Sequence, residues 1–154
     1  MRWLSTKGRL PMSSSKRNIL YIRCSDGRSQ RPKDIREHCV HQIRLPGGIL
    51  FPELCGKHEG WLLKPLIEGV LMFAIKIMVK LKAPDEIIIA SHDDCGAATD
   101  IGLTDEQVKR KHASLGNKLR GWFPNIQVKV LHEKHSECGE HHHGHEPVEL
   151  QQAA

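Results

Sequence analysis

The first 23 positions contain no aspartate or glutamate, although they hold six basic side chains. The formal charge of +5 over 154 residues therefore belongs to one end, because the remainder carries 17 basic against 18 acidic side chains. A near-neutral body offers no surface for tracking phosphates, and no nucleic-acid partner is expected. The stretch MRWLSTKGRLPMSSSKR also lacks the apolar segment of about 7–15 residues that a secretory signal needs. Its basic, acid-free composition suits either organellar import or, as expected here, a disordered extension over residues 1–17 of a cytoplasmic protein. An odd cysteine count of five with no secretory signal predicts reduced thiols. Nor is there an uninterrupted membrane-length apolar run: Lys64, Glu68, Lys76, Lys80 and Pro65 break up Trp61–Leu81, so no membrane contact is expected.

What is present fits one domain, over residues 18–132, followed by a His-rich tail over 133–154. Asn18–Arg23 reads as a strand, and Pro32 opens a short helical stretch, PKDIREHC. Val40–Leu45 is a second strand, and a Pro/Gly-rich loop runs on through Gly60. Trp61–Leu81 is apolar outside one charged i, i+4 stripe, which predicts a helix buried on most of its surface. Glu86–Ala90 (EIIIA) is a third strand whose continuous apolar run predicts burial on both faces of a parallel sheet. Thr104 and Gln107 form a capping box for a helix reaching about Arg120, and Ile126–Leu131 is a fourth strand. Strands alternating with helices predict a doubly wound, mostly parallel α/β sheet of about four strands, with ligands beyond the strands' carboxyl ends.

Both chemically loaded stretches fall at such ends. Cys24 closes the first strand, and SHDDCG (Ser91–Gly96) follows the third. The two-residue gap between His92 and Cys95 lets a tight loop turn both toward one ion, and Cys24 completes a Cys2His set. Three soft or borderline ligands with a fourth position open are what a catalytic zinc site requires. Asp26, two residues from Cys24, can occupy that fourth position or accept a hydrogen bond from zinc-bound water. Arg28 can hold the Asp26 carboxylate ionised and off the metal. A phosphatase loop of the C-x5-R type is ruled out, since position 30 is Gln.

CSDGR and SHDDCGA resemble the C-x-D-x-R and H-x-x-C-G motifs of the β-class carbonic anhydrases. IRLPGG resembles that family's R-N-A-G loop at Arg44 and Gly47. The resemblance runs in order from about Asn18 to Leu131. It implies zinc on Cys24, His92 and Cys95, an Asp26–Arg28 catalytic dyad, and Asp26 as a fourth ligand in a closed state. It also implies a homodimer or higher homo-oligomer. The implied activity is reversible hydration of carbon dioxide to bicarbonate by a zinc-bound hydroxide, which zinc can generate near neutral pH. Departures are Gly27 for serine, Leu45 and Pro46 for the Asn-Ala pair, a longer Cys24–His92 segment, and no usual last strand or N-terminal helices. They leave two alternatives: a non-catalytic zinc-binding or metal-handling module, or a zinc hydrolase acting on a carbon dioxide analogue such as carbon disulfide.

Two further clusters are weighed. Cys39, His41, Cys55 and His58 could form a structural zinc site, although buried thiols and surface imidazoles explain them more simply. The run His132–Glu146, with six imidazoles and Cys138, is read as a solvated tail that could buffer metal.

Overall fold

The computed structural model describes residues 16–25, 35–133 and the backbone of 148–149. Four parallel strands form the sheet: β1 (Asn18–Cys24), β2 (Cys39–Leu45), β3 (Glu86–His92) and β4 (Gln127–Glu133). A two-residue fifth strand, β5 (Val148–Glu149), pairs antiparallel with β4, giving the order β2-β1-β3-β4-β5. This β5 corrects the expectation that the chain lacks a last strand; with no apolar run to mark it, it shows only through its pairing. The rest of the expected tails, residues 1–15, 134–147 and 150–154, lies outside the described residues.

Apolar runs in β1 and β3 bury both faces. Leu20, Ile22, Ile87, Ile89, Val128 and Val130 form one core with Leu71, Ile75 and Leu119. The first two of those partners lie on α2 (Leu63–Lys82) and the third on α4 (Asp105–Trp122). On the opposite face Ile19, Tyr21, Ile88, Ala90 and Leu131 pack with Ile35, from the β1–β2 connection. Ile35 and the helices between β2 and β4 thus lie on opposite faces of the sheet, as the doubly wound arrangement requires. Neighbouring β1 and β3 flank the switch point, and sheets of this kind bind their ligands beyond the carboxyl ends of the strands there.

Helix α4 begins at the expected capping box: the Thr104 hydroxyl accepts from the Gln107 N–H, and the Gln107 side chain accepts from the Thr104 N–H. Its close seat on β4 depends on Gly116, where a Cβ would come within 2.5 Å of Val130 Cγ2.

Three local expectations need correction. Residues 46–60 are not all loop: a 3-10 turn (Gly48–Leu50) leads into α1 (Phe51–Glu59). Pro52 sits in its first turn, where the missing N–H breaks no bond, so a residue read as a loop signal helps start a helix. The helical stretch expected from Pro32 does not reach Cys39, which already belongs to β2, pairs with Asn18 and donates its N–H to the Arg17 carbonyl. Residues 26–34 lie outside the described residues.

The third correction concerns α2. Only Leu71 and Ile75 are buried within this chain, whereas Leu62, Leu66, Val70, Phe73, Ile77 and Leu81 are exposed, Phe73 at 65% and Leu81 at 70%. Steps of three and four place these six on one helical stripe. Among the described residues no helix is long and apolar enough to cross a membrane.

Candidate metal centre

Cys24 is the last residue of β1 and His92 the last of β3. The strand runs past Ala90, where the sequence placed its end, because Ser91 and His92 continue the ladder opposite His132 and Glu133. The next residues turn sharply. Asp94 takes a left-handed φ of 53°, which aspartate tolerates better than most residues, and this returns Cys95 toward the strand end. The ligand atoms of Cys24, His92 and Cys95 all lie within 4.8 Å of one another, and each residue is at most 6% exposed.

Second contacts orient each ligand. His92 Nδ1 lies 2.7 Å from the Asp93 carbonyl, which can only accept, so Nδ1 carries the proton and Nε2 is the lone-pair nitrogen a metal needs. The Gly47 N–H donates to Cys24 Sγ at 3.2 Å, favouring the thiolate. That contact depends on the glycine pair. Gly47 and Gly48 have φ of 69° and 59°, and a Cβ on Gly48 would come within 3.2 Å of the Arg23 carbonyl carbon and the Cys24 nitrogen. The loop Leu45–Gly48 therefore closes on the end of β1, held by the Ser25 N–H to the Leu45 carbonyl at 2.9 Å.

The hydrogen bond with Cys24, followed by burial, pushes the Cys95 thiol up, while the backbone amides of Ala98 and Ala97 pull it down. Two adjacent buried sulfurs cannot both ionise without a cation, and a divalent ion reverses that balance. The donor set, its closeness and its burial fit zinc.

Residues to which the sequence assigned no part in the site complete the surroundings. His132 Nε2 donates to Asp93 Oδ1 at 2.6 Å, and its Nδ1 lies 2.8 Å from Ser91 Oγ. This ties the His92–Cys95 turn to β4. His132 is 3% exposed, so it is part of the core and not of a solvated His-rich run. The other residues of that run lie outside the described residues, as do Asp26 and Arg28. Arg44 is exposed on the edge strand β2.

The alternative set of Cys39, His41, Cys55 and His58 does not assemble. Cys39 Sγ lies 3.8 Å from His41 Nε2 on β2, whereas His58 on α1 contacts Asp100 Oδ2 at 2.5 Å. Among the described residues Cys24, His92 and Cys95 form the only cluster of three candidate ligands.

His112 lines the same narrow cleft as Cys24, His92 and Cys95. Its sequence signal is its place on the buried stripe Val108, His112, Gly116 and Leu119 of an otherwise polar helix. Burial pushes its pKa down to about 4. The unfolded chain therefore binds a proton that the folded chain refuses between about pH 6.5 and pH 4. Stability from this group is complete above the unfolded value and is lost as the pH falls toward the folded one. Urea unfolding of the metal-free protein should show a loss of about 3 kcal/mol across that window. His112→Leu should flatten the slope; an unchanged slope would contradict the assignment.

No protein-family model and no curated protein matches the chain. Among solved structures, the chain is similar to a carbonic anhydrase from Streptococcus mutans, with a TM-score of 0.50 and 14% identity over 77% of this chain and 76% of that one. It also matches two β-carbonic anhydrases of Aspergillus fumigatus. One has a TM-score of 0.48 and 12% identity over 78% and 85% of the two chains. The other has a TM-score of 0.45 and 17% identity over 77% and 72%. The similarity at a TM-score of 0.50 is one of fold.

Proposed function

We propose that this chain is a divergent β-class carbonic anhydrase, a zinc lyase that interconverts carbon dioxide and bicarbonate. The observation that carries the proposal is the convergence of Cys24, His92 and Cys95 at the switch point of the sheet, from two motifs 68 residues apart. The shared fold supports it. Bound zinc supplies the Lewis acidity that lets water lose a proton near neutral pH.

The chain's own residues do the rest. Cys24, His92 and Cys95 hold the ion, the Asp93 carbonyl fixes the His92 tautomer, and the Gly47 amide supports the Cys24 sulfur. Asp26 would accept a hydrogen bond from the nucleophile's O–H group and so orient it, and Arg28 would hold Asp26 in place. Zinc content and stopped-flow hydration of carbon dioxide, measured on one sample, test the proposal. One zinc per chain with acceleration above buffer supports it. A full zinc equivalent with no acceleration favours a non-catalytic zinc module, and release of sulfide from carbon disulfide identifies the hydrolase alternative.

The chain acts as a homodimer or larger homo-oligomer in this reading, with a second copy covering the exposed stripe of α2. Six exposed apolar side chains in one row form the kind of patch that monomers seldom leave in water. Light scattering at micromolar concentration should give at least twice the 17.4 kDa chain mass. Phe73→Lys should lower it, and a stable parent monomer would count against the assembly. A cytoplasmic location belongs to the same reading.

A further inference from the structure

Val128, Val130 and His132 occupy alternate positions of β4, and the two valines belong to the core shared with α2 and α4. The pattern calls for a third aliphatic side chain at 132. The imidazole there is 3% exposed, and burying it is costly unless its ring nitrogens find partners. Both do: Nδ1 lies 2.8 Å from Ser91 Oγ, and Nε2 lies 2.6 Å from Asp93 Oδ1.

Register explains how one side chain reaches both. Ser91 pairs with His132 across the parallel ladder, so the two side chains leave the same face of the sheet. Asp93 follows Ser91 by two residues, just past the end of β3, and strand alternation returns it to that face. Its backbone is engaged as well. The Asp93 N–H donates to the Glu133 carbonyl at 3.0 Å, and the Asp93 carbonyl lies 2.7 Å from His92 Nδ1. The last two residues of β4 therefore hold the residue whose carbonyl fixes the His92 tautomer. Asp94, next in the chain, has a left-handed φ of 53°, a conformation that persists only where surrounding contacts enforce it.

We propose that His132 is a positioning residue for the metal: by holding the Asp93 carboxylate it keeps the His92–Cys95 turn in its ligating shape before the ion arrives, and so sets the affinity for zinc. The inference rests on the metal site proposed above. His132 stands outside the ligand cluster, which consists of Cys24, His92 and Cys95, and it acts through Asp93. A turn already in shape loses less freedom on binding, so more of the interaction energy remains as affinity.

The test measures the zinc affinity of the full chain by competition with a chelating dye, beside the melting temperature of each metal-free variant. His132→Asn, whose amide is too short to reach Asp93, and Asp93→Ala are each expected to weaken zinc binding about 10–100-fold. His132→Gln, whose longer amide can bring an N–H to the place of Nε2, should recover most of the affinity. The double variant of His132→Asn and Asp93→Ala should bind no more weakly than Asp93→Ala alone, because the same bond is already lost. Asp93 has a 29% exposed side chain, so Asp93→Ala covers the case in which His132→Asn does not fold. If His132 only fills space, the losses add, they follow the metal-free melting temperatures, and glutamine rescues nothing. Any of these results, or an unchanged affinity in Asp93→Ala, would overturn the inference while leaving the metal site standing. A parent chain that takes up no zinc would overturn the metal site, and the inference with it.

Discussion

Cys95→Ala is expected to yield a folded chain that no longer retains zinc through gel filtration, and Cys24→Ala should do the same. Each removes one of three ligands that the fold has already brought within 4.8 Å of one another. Loss of an outer partner alone costs about 10–100-fold in affinity, and loss of a ligand should exceed that. The metal-free variants should lose little stability, since the deleted group is one small thiol. The difference lies in the increment that zinc adds: binding free energy becomes folding free energy when the unfolded chain has no site. Zinc should raise the parent's melting temperature substantially and leave either variant's unmoved. Thermal scans with and without one equivalent of zinc, together with metal analysis, check this. Retention of a full equivalent by both variants would show that the ion sits elsewhere.

Arg28→Ala and Asp26→Asn are expected to keep zinc and to lose at least about 100-fold in hydration rate, within the usual span for a positioned acid–base group. The two should fail by different routes. Without the guanidinium, the Asp26 carboxylate is free to take the fourth coordination position, so the metal's shell gains a carboxylate oxygen. The neutral amide of Asp26→Asn binds a metal poorly and pairs weakly with Arg28, so a solvent oxygen remains there with poorer orientation. X-ray absorption on the zinc-loaded variants distinguishes the two shells. If Arg28→Ala hydrates carbon dioxide as fast as the parent, the acid and base of CSDGR form only a surface ion pair.

Legibility followed the range of the interactions. β1, β3 and α4 were readable because their signals are local: β-branched runs, and a Thr104–Gln107 capping box that the structure reproduces. The segment 46–60 was misread because Pro52 and its flanking glycines mark turns and helix starts alike, and only packing separates them. β5 was missed because two residues carry no periodicity. On α2 the apolar pattern was read correctly as a helix, but how much of it this chain would cover was not, since coverage depends on what packs there.

The site divides along the same line. His92 and Cys95 were identifiable from sequence because two intervening residues suffice for a turn, and Cys24 because a cysteine at a strand end is a readable position. The chemistry of that donor set, soft and three-membered, is a property of residue types alone. Their convergence is not. Cys24 meets His92 only because β1 and β3 are neighbours in a parallel sheet whose winding reverses between them, a consequence of buried apolar faces seeking cover on both sides. His112 and His132 come to the same place through the docking of α4 and β4, 17 and 37 residues beyond Cys95. No local spacing encodes that approach; it depends on long-range contacts such as Gly116 against Val130, which form only when the whole core packs.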